Sequence, residues 1–119
     1  MASTSISLSM SYNGSADAFS TAQSATYDQA GTGVLFKNQI IGTTTEPIDL
    51  GDLANLGGGL LIKNLDTTNY VEVDTATTYD KFPQKILPGR AVLLASQTVT
   101  LHARANTASV SIIVAAAAA

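Results

Sequence analysis

The sequence predicts an all-β domain: an antiparallel β-sandwich, jelly-roll-like, with at most one short helical turn. Three observations carry this reading. Apolar residues recur at every second position in several short segments, the period of a strand with one buried face. Turn-forming residues separate those segments roughly every ten positions, the rhythm of a sandwich or barrel. The polar complement is dominated by 15 Thr and 11 Ser, and β-branched Thr suits a pleated strand where helix surfaces prefer Glu, Lys, Gln and Arg. A chain of 119 residues has room for one core and buries roughly two-thirds of its unfolded surface. The expected domain runs from residue 1 to 114, with 1–22 an N-terminal hairpin that either joins the core or forms an arm, and 115–119 an alanine tail.

Taken in order, Ile6, Leu8, Met10 and Tyr12 alternate with Ser7, Ser9 and Ser11, which predicts a half-buried first strand. Asn13-Gly14 tolerates the positive φ angles of a two-residue hairpin turn, so the chain should return through Ala16 to Thr21. Residues 23–33 are small and polar without periodicity and read as a loop. Residues 33–42 are thick with apolar side chains and read as a strand, and a short strand is expected at Ile48 to Leu50. Asp52 could cap one helical turn over Leu53 to Leu56, ended by Gly57, Gly58 and Gly59. Residues 60–74, with turn residues Asp66, Thr67, Thr68 and Asn69 at the centre, read as a β-hairpin.

In Leu87-Pro88-Gly89-Arg90, Pro88 presets φ and Gly89 accepts φ > 0, as a type II turn demands. Strands are expected at Ala91 to Leu94 and at Thr98 to Ala103. In the latter, Val99, Leu101 and Ala103 point one way and Thr100, His102 and Arg104 the other. Asn106-Thr107 makes a turn before a closing strand from Val110 to Val114. Ala115 to Ala119 has no side chain to anchor it and should end a strand or fray.

Composition narrows function by exclusion. Charged residues are 13% of the chain against a norm of about 25%, and the net charge is −3. Six scattered Lys and Arg do not make a phosphate-binding stripe, so no direct nucleic-acid contact is expected. Without cysteine there is neither a disulfide framework nor a thiolate metal site. The N-terminus lacks the basic start and apolar run of a secretory signal, and no apolar stretch is long enough for a membrane helix. The product is expected to be made soluble in a cytoplasm, with no membrane partner.

Chemistry is hard to find. His102 is the sole histidine and cannot complete a zinc set or a nucleophile triad without partners; it reads as a solvated surface residue. Asp49, Asp52 and Asp66 flank turns but lack calcium-loop spacing, so capping roles are expected. Gly57 to Gly59 is followed by neither Lys-Ser nor Lys-Thr and leads into a strand, unlike a phosphate loop. Asn13-Gly14-Ser15 fits a glycosylation sequon, but the hairpin explains it. No catalytic residue, cofactor or metal is expected, and the chain reads as a non-enzymatic protein. Tyr12 continues the apolar alternation of the first strand, which leaves Tyr27, Tyr70 and Tyr79 as candidate surface contacts, for sugar stacking or for a protein neighbour.

Residues 60–73, with Leu60-Leu61-Ile62-Lys63-Asn64-Leu65-Asp66 leading to Tyr70-Val71-Glu72-Val73, then Ile86-Leu87-Pro88-Gly89-Arg90 to Leu94, then Ala103 to Val110, resemble small virion proteins of tailed bacteriophages. The resemblance covers about half the chain. It implies a β-sandwich in the virion that decorates or cements the head shell, or serves in neck, tail or fibre. The partners it implies are the major capsid protein or other virion proteins, with the chain itself a homo-oligomer such as a trimer. It carries over no functional residue. The composition agrees with assembly, since a hydroxyl-rich, charge-poor surface costs little to desolvate beneath a neighbour. A carbohydrate-binding sandwich is the alternative from a different class.

Overall fold

The computed structural model describes residues 2–13, 18–29, 33–51, 53, 59–81, 83–94 and 100–117. Ten strands make up the described chain: β1 (Ala2–Asn13), β2 (Ala18–Gln29), β3 (Val34–Ile41), β4 (Glu46–Pro47), β5 (Leu60–Asn64), β6 (Val71–Asp74), β7 (Gln84–Ile86), β8 (Ala91–Leu94), β9 (His102–Ala105) and β10 (Val110–Ala117). No helix occurs among the described residues. The turn predicted behind Asp52 lies largely outside them.

β3 to β10 form an antiparallel sandwich of two four-stranded sheets, ordered β3-β10-β5-β8 and β4-β9-β6-β7. The order follows from one long antiparallel ribbon folded back at the β6–β7 connection. β6 pairs with β7, β5 with β8, β4 with β9 and β3 with β10, and successive pairs fall in alternate sheets. Rolling that ribbon brings β10 beside β5 and β6 beside β9, which closes a jelly roll. Within this sandwich, only β6 and β7 are consecutive strands of the same sheet. The hairpin expected over residues 60–74 is therefore a corner: β5 and β6 lie in different sheets, and residues 65–70 carry the chain from one to the other. Turn composition marks a reversal but does not say whether the strands that follow will pair.

Alternation sets the core. Val110, Ile112, Val114 and Ala116 of β10 face Val71 and Val73 of β6 and Ala103 and Ala105 of β9 across the interior, with Leu60, Ile62, Ile41, Ile48, Ile86 and Leu101 filling in. Long side chains on β5 and β10 thus meet short ones on β9, and each large side chain sealed this way contributes roughly 2 kcal/mol. The first three residues of the alanine run take the first of the two fates expected for it, the end of a strand. β10 continues through Ala117, paired with Val34 on one side, while Ala116 pairs with Leu60 on the other. Strand pairing, which needs no side chain, anchors these alanines.

Polar groups fix the corners. Asn64 is fully buried, donates Nδ2 to the carbonyls of Asn69 and Ile86 at 2.9 Å each, and accepts from the Asp66 amide at 2.8 Å. Its backbone pairs with Gly89 and Arg90, so this one residue ties both sheets at one end of the sandwich. Gly89 has φ 73° and the Arg90 amide donates to the Leu87 carbonyl at 3.0 Å, the type II turn expected there. Asp74 joins the two ends of the β6–β7 connection, accepting from the amides of Thr75 and Lys81.

β1 and β2 stand apart as a two-stranded sheet that pairs with neither sheet of the sandwich. Sequence expectations are corrected here. β2 runs to Gln29, through part of the segment read as a loop, because uniform Ser, Thr and Ala offer no apolar period yet pair readily in a strand. The last described pair of the hairpin is Asn13 opposite Ala18, and the turn expected at Asn13-Gly14 runs into residues 14–17, outside the described residues. β9 begins at His102, later than expected, and β4 sits at Glu46–Pro47, just before the strand expected at Ile48.

Candidate interaction surface

The two sheets have different outer faces, and the difference is written in their strands. β6, β7 and β9 alternate cleanly, as in Val71-Glu72-Val73 and His102-Ala103-Arg104-Ala105. β3, β5 and β10 instead carry apolar residues at both parities, as in Val34-Leu35-Phe36, Leu60-Leu61-Ile62 and Ile112-Ile113-Val114. A continuous apolar run is the mark of a strand meant to be covered on both sides. In the β3-β10-β5-β8 sheet only the inner side is covered by the sandwich.

On its outer side Val34, Phe36 and Ile40 are 72%, 76% and 67% exposed. The register sets Ala117, Ala115 and Ser111 of β10 beside them, then Leu61 and Lys63 of β5, then Leu93 and Ala91 of β8. Lys63 is the only charged side chain in that set. The outer face of the four strands, at about 4.8 Å spacing and about 20 Å length, spans ~400 Å², and an apolar patch on a face of this size is comparable with the largest patch of a typical monomer, which is often functional. At one end of the sheet, Ser5 and Ser7 of β1 line an open cleft of about 380 Å³ together with Leu35, Gly59, Leu60, Leu61, Leu93 and residues 115–117.

The opposite outer face is polar and internally neutralised. Arg104 bonds Glu72 at 3.1 Å across the β6–β9 pair, and Lys85 lies opposite Glu72 on β7. Arg104 also stacks on the Tyr79 ring at 4.1 Å and Lys85 on the Tyr70 ring at 4.4 Å, contacts worth of order 1 kcal/mol each.

The candidate contact residues are thereby relocated. Tyr79 is not a surface contact: the β6–β7 connection folds back and buries it to 7% exposure with φ 55°. Burial raises its phenol above the ordinary value, against smaller opposing effects of the Thr45 side chain and the Arg104 charge, and its Oη has no partner at ordinary hydrogen-bond geometry among the described residues. Tyr70 is half-buried beneath Lys85. Tyr27 lies in β2 opposite Thr4, and its side chain is outside the described residues. Tyr70 and Tyr79 both border the Glu72–Arg104 pair, but each has a ring face taken by a cation. His102 is half-buried, not solvated, with Nδ1 sealed from solvent and unpartnered among the described residues.

The acidic residues at turns act locally. Asp49 pairs with Lys37 and accepts from the Gly51 amide, and these contacts hold its carboxyl below the usual value. Asp66 is lowered in the same way by the Asn69 and Thr68 amides. Asp52 falls outside the described residues. Among the described residues no three His, Cys, Asp or Glu side chains group as a metal site would require, and no helix is long and apolar enough to cross a membrane. No family model, curated protein or solved structure matches the chain.

Proposed function

We propose that this chain is a structural protein of a tailed-bacteriophage virion, most simply a decoration or cement protein that reinforces the head shell, and that it binds through the apolar outer face of the β3-β10-β5-β8 sheet. That face is the observation that carries the reading. A sheet apolar on both sides is completed only when something covers the second side. The eight-stranded jelly roll is an architecture that viral coat proteins use, and the resemblance of residues 60–110 to small phage virion proteins points the same way.

Quantitative mass spectrometry of purified particles tests it. A shell protein should be present in hundreds of copies, and the free protein should rebind stripped particles. A count of three, six or twelve moves it to neck, tail or fibre. Absence from particles, with no affinity for capsid or tail, ends the proposal. The jelly roll also serves lectins, but a stacking platform needs open aromatic faces, and Tyr70 and Tyr79 do not offer them.

A further inference from the structure

On the polar outer face, the ends of three connections meet at a pocket of about 250 Å³ lined by Thr43, Tyr70, Glu72, Arg104, Ala105 and Asn106. The backbone around it is tied down. The Ala105 amide donates to the Gly42 carbonyl at 2.8 Å and the Asn106 amide to the Tyr70 carbonyl at 3.3 Å. Thr107 Oγ1 donates to Asn69 Oδ1 at 2.7 Å and joins the β9–β10 turn to the corner before β6. The pocket is therefore formed before any ligand arrives, as small-molecule sites usually are.

Its polar groups hold capacity that the chain does not use. Glu72 and Arg104 share one bond, Nη2 to Oε2 at 3.1 Å, which leaves Glu72 Oε1 and the other guanidinium N–H groups without a hydrogen bond among the described residues. The side chains of Thr43 and Asn106 make none there either. Behind Arg104, the Tyr79 ring stacks on the guanidinium at 4.1 Å. Tyr79 holds φ 55°, a strained conformation for a bulky residue and one that gathers at functional sites. The stacked ring fixes the plane of the guanidinium, so the N–H groups that line the pocket keep one direction.

We propose that this pocket binds one sugar ring by a vicinal pair of hydroxyls, through Glu72 and Arg104, with Thr43 and Asn106 as secondary contacts. Charge selects the ligand class. A carboxylate or an ammonium ion meets a group of its own sign at the Glu72–Arg104 pair, so neither gains much net attraction. A neutral polyol gains from both: one hydroxyl donates to Glu72 Oε1 while its neighbour accepts from the Arg104 guanidinium, and both bonds are charge-assisted. The volume lies just below the usual range of about 300–1,000 Å³ for ligand sites, which suits a single ring. Binding by hydrogen bonds needs no open aromatic face, so Tyr70 serves as wall and Tyr79 as the support of Arg104. The site goes beyond the virion role and does not depend on it, although that role turns this face outward.

Chemical-shift titration of the isotope-labelled full-length chain tests it, with free hexoses and N-acetylhexosamines as probes and cyclohexanol and acetate as controls. At least one sugar should shift the amides of Thr43, Glu72, Arg104 and Asn106, with a dissociation constant in the millimolar range, the ordinary strength for a ligand of this size. Cyclohexanol, with a single hydroxyl, and acetate should bind about tenfold more weakly or not at all. Glu72→Gln keeps the shape and removes the acceptor's charge, and should weaken sugar binding about tenfold. Asn106→Ala lies in an exposed turn with no side-chain bond to lose, so it should weaken binding about threefold at an unchanged thermal midpoint, and it decides the matter if Glu72→Gln fails to fold. No shift from any sugar at about 100 mM, acetate binding as well as the sugars, or full binding by the variants overturns the site. The particle count is independent of this result, so an abundant virion protein that ignores every sugar would sink the pocket alone.

Discussion

Asn64 shows at the scale of one residue how a sandwich end is locked. A buried amide is tolerated only when its donors and acceptor are all used, and here they reach the corner after β5, the amide of Asp66 and the last carbonyl of β7. Asn64→Ala leaves those backbone groups buried without partners, which costs about 3 kcal/mol and should lower the thermal midpoint by about 10 °C. A change of less than about 3 °C in a melting experiment would show that the corner does not depend on the amide. Tyr79 predicts the opposite. Its hydroxyl gains little from its surroundings, so Tyr79→Phe should cost under about 1 kcal/mol at neutral pH. The folded state holds the phenol proton more tightly than the ordinary value of 10.0, so the unfolded chain releases it first as pH rises. The stability this supplies is intact below about pH 10 and falls as pH climbs toward the folded-state value. The difference between wild type and Tyr79→Phe in urea titrations should show that slope, and parallel pH profiles would contradict it.

Elements were legible in the sequence where local chemistry decides them. Pro88-Gly89 identified its turn because that pair suits a type II turn, and Val110 to Val114 identified a strand by its β-branched residues. Pairing was not legible. Residues 60–74 look like a hairpin since Asp66 to Asn69 reverse the chain, and only the packing of the whole sandwich sends β5 and β6 into separate sheets. The burial of Tyr79 was hidden for the same reason, because it depends on a loop folding back over a neighbouring strand. The apolar face did have a signal: Val34-Leu35-Phe36 and Ile112-Ile113-Val114 are apolar at both parities, which a strand with one wet side would not be.

The β1–β2 arm lies outside the sandwich. It contributes no strand to either sheet, so deleting residues 2–29 should leave one cooperative unfolding transition within about 2 kcal/mol of the full chain. In the full-length monomer, amides of β1 and β2 should exchange with solvent far faster than those of β5 and β10. Loss of cooperative folding on deletion, or equal protection of arm and sandwich, would contradict the separation.

For the whole molecule, the unequal faces of the sandwich set what it can do. One sheet turns the Glu72–Arg104 ion pair outward, with the rings of Tyr70 and Tyr79 stacked against Lys85 and Arg104. The other turns Phe36, Val34 and Ile40 to water. Apolar surface left uncovered in a monomer is completed by association, and a jelly roll with an aliphatic interior does its binding on the outside. On the virion role proposed above, the Phe36 face is the side that neighbouring subunits cover. A cryo-electron microscopy reconstruction of the particle tests it most directly: the β3-β10-β5-β8 face should be covered by neighbouring subunits, with the Glu72–Arg104 face toward solvent. A particle in which the Phe36 face stands open to water, while the Glu72–Arg104 face makes the contacts, would contradict it.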